Sequence, residues 1–265
     1  MSSITLQKSH ETAGIHLQKS GVNPQSLPAM RVGVCLDTSG SMQEEYHDGH
    51  VQDALTHLLA LAMHMDKTGH MDAFTFDHRP SQCRAPITPD NYQDFVRQHI
   101  LEDHSVHKWG STYYADVIHL AYQHYFPTLT HLHDKESAAA HLHGLMHHHG
   151  HGGGFLGKLF GHKTETPMVP QPVIREDHTP TLILFLTDGE AGDEREAEIA
   201  VHAGAGLPLF WAFVGLAHDS RTLRDIARES DAEFVLLEDG IRISDDDLYR
   251  KLLTTKLTRW LSGIS

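Results

Sequence analysis

The sequence predicts an α/β fold, a doubly wound and mostly parallel sheet with helices on both faces. Three observations carry this reading. The apolar runs Arg31–Leu36, Thr181–Leu186 and Pro208–Val214 are of strand length and nearly continuous, the pattern of strands buried on both faces. Segments with helical periodicity follow them, so strand and helix alternate along the chain. Two of the strands end in polar turns rich in carboxylates and hydroxyls, at the edge where open α/β sheets bind ligands.

Residues 1–29 are polar and contain LQKS twice, at Leu6–Ser9 and Leu17–Ser20. Two short β-like pieces, Ile4–Gln7 and Gly14–Gln18, suit a hairpin or pairing with a sheet edge, and a flexible leader fits the composition equally well. The main domain is read as residues 30–262. Its first strand is Arg31–Leu36. Val51, Ala54, Leu55, Leu58, Leu59, Ala62 and Met65 then recur at helical spacing and mark a long amphipathic helix. Asp72–Phe76 reads as a short strand, Cys83–Ala85 as a small edge strand, and Asp90–Ile100 as a helix capped by Asp90. Tyr114, Val117, Ile118, Ala121 and Tyr122 mark another helix.

Thr181–Leu186 is the most apolar strand. It is followed by a helix at Asp193–Ala203, a strand at Pro208–Val214, a helix at Ser220–Glu229 and a strand at Glu233–Leu237. A last helix, Ser244–Leu261, opens with three aspartates, which suit the positive end of its dipole. The stretch 127–179 breaks the alternation. It is read as a His-rich flexible insertion, with nine histidines between His131 and His162 and helical character at Ser137–His143.

A chain of 265 residues can bury a sizeable core. Its formal net charge of −14 argues against a nucleic-acid partner, since no basic stripe is present to neutralise phosphates. Two cysteines, Cys35 and Cys83, make no disulfide framework and point to a reducing compartment. The N-terminus has no apolar signal-peptide core and no apolar run reaches membrane-spanning length. The expectation is a cytoplasmic protein without membrane insertion.

The chemistry concentrates in three segments: LDTSGSM at Leu36–Met42, WGST at Trp109–Thr112 and FLTDGE at Phe185–Glu190. Asp37, Ser39 and Ser41 sit two residues apart after the first strand, where alternate side chains converge on one point. Thr112 and Asp188 come from turns that the fold would bring to the same edge. Helix capping alone explains Asp37 and Ser41, but it leaves the coincidence with GST and TDGE unexplained. Hydroxyls and carboxylates without thiol or imidazole suit a hard divalent cation, Mg²⁺ or Mn²⁺ with Ca²⁺ as a further option, better than zinc. With few carboxylates in contact, such an ion keeps positive charge and an open position for an acidic group. Glu44 and Glu45 are candidates to fill it from within the chain.

These segments resemble the von Willebrand factor A (vWA) domain, whose metal-ion-dependent adhesion site combines a DxSxS turn with a later threonine and a later aspartate. Asp37, Ser39 and Ser41 match the turn, Thr112 the threonine and Asp188 the aspartate. RVGVCLDTSGSM, VQDAL, DNYQDFV, KWGSTYYADVI, LPLFWAFVGL and DLYRKLL…RWL are similar to the bacterial form at the C-terminus of TerF, a tellurite and toxic-cation resistance protein. The resemblance covers roughly residues 30–262 apart from the insertion. It implies a Rossmann-like vWA fold and a protein-interaction module in which the metal accepts a carboxylate from an acidic partner, with other Ter-type proteins as candidates. A bacterial tellurite or stress-response setting is implied too. WGST departs mildly from the family, where a second glycine is more usual.

Other classes find less support. There is no GxxxxGK[ST] loop and no GxSxG elbow, and Gly33 and Gly40 form no dinucleotide fingerprint. A Mg²⁺-dependent phosphohydrolase at the same carboxylates is the enzymatic alternative, with Glu190, His47 and His50 near in sequence. The other alternative is metal sequestration or sensing, with Zn²⁺ or Ni²⁺ bound by the histidines of the insertion.

Overall fold

The computed structural model of the chain describes residues 5–148, 178–229 and 232–264. Six strands form one sheet: β1 (Arg31–Asp37), β2 (Asp72–Phe76), β3 (Pro80–Gln82), β4 (Thr181–Thr187), β5 (Leu209–Leu216) and β6 (Ala232–Leu237). Their order is β3-β2-β1-β4-β5-β6, parallel throughout except for the antiparallel edge strand β3. The chain steps outward from β1 in one direction and then, from β4, in the other. The strand order therefore reverses between β1 and β4, where a crevice opens beyond their carboxyl ends.

Every residue of β4 is buried, and its side chains alternate between two cores. Leu182, Leu184 and Leu186 point to one face, Ile183 and Phe185 to the other. The first face is covered by α3 (His50–Ala62), α8 (Asp245–Leu252) and α9 (Thr255–Gly263). On the second face lie α4 (Ala115–Tyr125), α5 (Lys135–His148), α6 (Glu194–Ala203) and α7 (Arg221–Glu229). A short helix α2 (Gln43–His47) joins the turn after β1 to α3.

Several elements differ from the sequence reading. The N-terminal segment is neither hairpin nor leader but helix α1 (Leu6–Lys19), laid across α3 and α8. Its buried Leu6, Ser9, Ala13 and Leu17 recur at helical spacing, a period that the short β-like pieces concealed. The edge strand is Pro80–Gln82 rather than Cys83–Ala85, which suits proline's tolerance of sheet edges. Asp90 caps nothing. Asn91 instead accepts from Thr88 N at 2.8 Å, and only a 3-10 turn (Tyr92–Asp94) and a π-type turn (Arg97–Leu101) follow. The last helix is two: after α8, Thr254 breaks the run and accepts from Leu257 N at 3.4 Å to start α9.

Part of the segment read as insertion is folded. Leu132, Ala138 and Leu142 are buried in the second core, and α5 packs against α6. Arg31 ties the two roots of the segment together. Its guanidinium donates to Tyr125 O at 3.0 Å, Thr179 O at 3.1 Å and Thr181 Oγ1 at 2.9 Å, and lies over the Tyr125 and Phe126 rings. The histidines at 149, 151 and 162, on which the Zn²⁺ or Ni²⁺ alternative draws, lie outside the described residues. Among the described residues no helix is long and apolar enough to cross a membrane.

Candidate metal centre

β1 and β4 pair in register from Arg31↔Thr181 to Leu36↔Leu186, so the next residues, Asp37 and Thr187, meet at the sheet edge. Thr187 Oγ1 donates to Asp37 Oδ2 at 2.6 Å. The other Asp37 oxygen accepts from Ser39 N at 2.8 Å, which closes the turn and aims the following side chains back toward the edge. Ser39 Oγ lies 3.1 Å from Ser41 Oγ, and Ser41 Oγ donates to Asp188 Oδ1 at 2.9 Å. Four of the five predicted ligands thus form one connected arc. The fifth, Thr112, stands beside it: a Cβ placed on Gly189 would lie 3.9 Å from Thr112 Oγ1. Among the described residues no hydrogen bond joins the Thr112 hydroxyl to the other four.

The electrostatics are unusual for two aspartates so close together. Asp37 is fully buried, and burial pushes its pKa up to about 6 against the pull of the Ser39 and Thr187 hydrogen bonds. The Asp188 carboxyl is raised as well, chiefly by burial, with the Ser41 bond opposing and Glu45 adding repulsion. Among the described residues neither carboxylate has an ion-pair partner. Buried carboxylates normally find a cation or a metal. Buried Asp37 and half-buried Asp188, joined by hydroxyls whose lone pairs are available, form a donor set that fits a hard divalent ion. Nowhere among the described residues, this arc included, do three His, Cys, Asp or Glu side chains converge as a metal-binding group, so the arc's donors are two carboxylates with hydroxyls.

The WGST loop is held against this arc by residues that the sequence reading passed over. Trp109 N donates to Thr38 O at 2.6 Å, and Gly40 N donates to Gly110 O at 3.0 Å. Asp77, the buried residue after β2, accepts from Gly110 N at 3.1 Å and from Arg79 N at 2.8 Å. Gly110 tolerates no side chain, since a Cβ would fall 2.1 Å from His78 Nδ1 and 2.6 Å from Asp77 Oδ2. Trp109 takes a left-handed backbone (φ 70°), a strained conformation for an aromatic residue, with its ring edge-on to Tyr46 at 5.6 Å.

Behind Thr112, Asp193 accepts from Tyr114 N at 2.8 Å and Ala115 N at 2.9 Å, capping α4 from another element. Tyr114 Oη reaches Thr187 Oγ1 at 3.1 Å and donates to Gly189 O at 2.5 Å, tying the two loops together. The available signals were positional. Asp77 ends a strand at the same edge as Asp37, and Thr187 precedes Asp188.

The alternatives for this site meet structural obstacles. Glu190 is engaged at the start of α7, where it accepts from Ser220 Oγ at 3.0 Å and Arg221 N at 3.1 Å. Glu45 lies 2.8 Å from His50 Nδ1 and takes two contacts of 3.4 Å from Arg242, so these partners hold it outside the arc. His47 packs beside the Trp109 ring, and neither it nor His50 bonds Ser39 or Ser41.

The protein is similar over almost its whole length to known chains. It is 25% identical over 266 residues to the uncharacterised protein YcbR of Bacillus subtilis (strain 168), covering 96% of this chain and 84% of that one. Among solved structures, proximal thread matrix protein 1 of the mussel byssus aligns with a TM-score of 0.49 at 11% identity, over 86% of this chain and 48% of that one. The ArnB paralog VWA2 of Sulfolobus acidocaldarius aligns at 0.45 and 12% identity, over 86% and 45% respectively. The chain spans about half the length of these two structures. A family model for the vWA domain found at the C-terminus of TerF matches residues 29–132 and 138–264. By that match, which takes in all six strands, the chain belongs to the TerF-like von Willebrand factor A family.

Proposed function

We propose that the protein is a metal-ion-dependent protein-binding module, an adaptor in a bacterial tellurite or stress-response system. The observation that carries this reading is the fully buried Asp37 carboxylate, joined through Ser39 and Ser41 to Asp188, with no ion-pair partner on either acid among the described residues. Asp37, Ser39, Ser41, Thr112 and Asp188 would hold Mg²⁺ or Mn²⁺, with Ca²⁺ as a further option. Bound there, the ion supplies a positively charged coordination position for a carboxylate presented by a partner.

The chain's own residues do the rest. Asp37 and Thr187 fix the inner end of the arc within the fold, while exposed Ser41 and half-buried Asp188 set its outer rim. The Asp77–Gly110 and Asp193–Tyr114 bonds pin both sides of the loop that carries Thr112. A partner's acidic side chain entering at the rim would shift Thr112 and Ser41, and each sits just ahead of a helix that can transmit the movement. The partner is an acidic protein, with other Ter-type proteins as candidates by family, and the role is binding rather than catalysis. Calorimetric titration with Mg²⁺ and Mn²⁺ tests the reading: heat of binding in the wild type, absent in Asp37→Ala, supports it. Equal binding in both sinks it.

A further inference from the structure

Glu45 stands within one helical turn of the candidate metal centre and is held away from it. The 3-10 turn Gly40–Met42 runs directly into α2, so Ser41 and Glu45 lie four residues apart on one face of a continuous helical stretch. Side chains on a helix lean toward its N-terminus, over the turn that precedes their own. Unrestrained, the Glu45 carboxylate would therefore lie over Ser41. That hydroxyl is the outer one of the arc and donates to Asp188 Oδ1 at 2.9 Å. The charge of Glu45 already acts there, since the Asp188 carboxyl is raised first by burial and then further by Glu45.

Two residues from other elements claim the same carboxylate. Gly49, in a left-handed conformation at φ 85°, turns the chain between α2 and α3 and brings His50 Nδ1 to 2.8 Å from Glu45 Oε2. Arg242, in the loop between β6 and α8, reaches both oxygens, Nε to Oε2 and Nη2 to Oε1, each at 3.4 Å. Its neighbours Ile241 and Ile243 pack into the first core and anchor the backbone, while its own side chain is exposed. The guanidinium also lies 3.9 Å from Asp48. Both arginine contacts are long, and the His50 contact is short but off the hydrogen-bonding direction. An exposed pair of this kind is weak, so it can give way. A cation in the arc attracts the same carboxylate, and one side chain cannot lie over Ser41 and against Arg242 at once.

We propose that Glu45 is a built-in competitor for the open position of the bound cation, and that Arg242 is the latch that keeps this position free for a partner's carboxylate. The inference rests on the metal reading of the arc. The test titrates Mn²⁺ into the full chain, following affinity by calorimetry and metal-bound water by solvent-proton relaxation. Arg242→Ala should bind Mn²⁺ about tenfold more tightly than wild type and with about one coordinated water fewer, because Glu45 takes that water's place. Arg242→Ala combined with Glu45→Asp keeps the charge but shortens the reach by a methylene, and should return both readings to the wild-type values. Glu45→Gln alone should leave the water count unchanged. A gain in affinity without loss of water, or one that survives Glu45→Asp, would be a charge effect of removing Arg242 and would overturn the competitor. Wild-type affinity and water count in Arg242→Ala would overturn it too. Absence of Mn²⁺ binding in all four proteins would instead sink the metal reading itself, and the competitor with it.

Discussion

An ionised Asp37 without a cation should destabilise the fold, and the size of the effect follows from its surroundings. The carboxyl is fully buried with a pKa of about 6, against 3.8 for the ordinary side chain. That gap corresponds to about 3 kcal/mol of preference for the protonated form. The folded value is raised above the unfolded one, so the folded state holds the extra proton between roughly pH 4 and pH 6. Stability from this group is therefore lost as pH rises through that window, and the full cost is present at pH 7.5.

Asp37→Asn removes the charge and keeps the shape. It does disturb Thr187, whose hydroxyl now faces an amide N–H on one side or must turn away from Gly189 and Tyr114, at a cost of about 1 kcal/mol. In EDTA at pH 7.5 the variant should therefore be about 2 kcal/mol more stable than wild type by urea denaturation. The advantage should disappear by pH 4. Adding Mg²⁺ should raise the midpoint of wild type only. At pH 6 binding should release about half a proton, read as a dependence of calorimetric heat on buffer ionisation. A variant no more stable than wild type at pH 7.5, with the same response to Mg²⁺, would refute the reasoning.

Three further outcomes follow from the loops and the folded part of the insertion. Gly110→Ala forces a methyl into His78 and Asp77, and should lower stability by about 1–3 kcal/mol and weaken Mg²⁺ binding, both measurable by thermal melts with and without the ion. Asp193→Ala strips two backbone donors at the start of α4 of their acceptor, and should cost about 1–2 kcal/mol in urea melts. Faster amide exchange at Tyr114 and Ala115 should accompany that loss. Leu142→Ala should cost about 2–5 kcal/mol, because α5 belongs to the core. A near-neutral result there would place α5 outside the cooperative unit.

The sheet was legible because its chemistry is repetitive. Thr181–Leu186 could hardly be anything but a strand buried on both faces, and the DTSGS and TDGE turns marked the carboxyl edge of the sheet. What escaped was set by tertiary contact. Helix α1 has only Leu6, Ala13 and Leu17 as its apolar stripe, and its fourth buried residue, Ser9, is polar and bonds His57 at 3.0 Å. Asp193 reads as the start of its own helix yet caps α4, a role fixed only when α4 and α6 meet. Asp77 looked like an ordinary residue after a strand until the fold set it against Gly110. Four of the five candidate ligands could be named because two strands carry them to one edge, and Thr112 because of its WGST turn. Their supports could not, since these come from whatever packs behind.

The most direct measurement is Mg²⁺ and Mn²⁺ binding by calorimetry in three proteins: wild type, Asp37→Ala and a chain lacking residues 131–163, with Zn²⁺ and Ni²⁺ as comparison ions. Because that deletion removes Leu132, Ala138 and Leu142 from the core, a shorter one, 149–177, accompanies it. The account predicts Mg²⁺ or Mn²⁺ binding that is lost in Asp37→Ala and kept in the shorter deletion. Binding of Zn²⁺ or Ni²⁺ alone, unaffected by Asp37→Ala and abolished by either deletion, would contradict it.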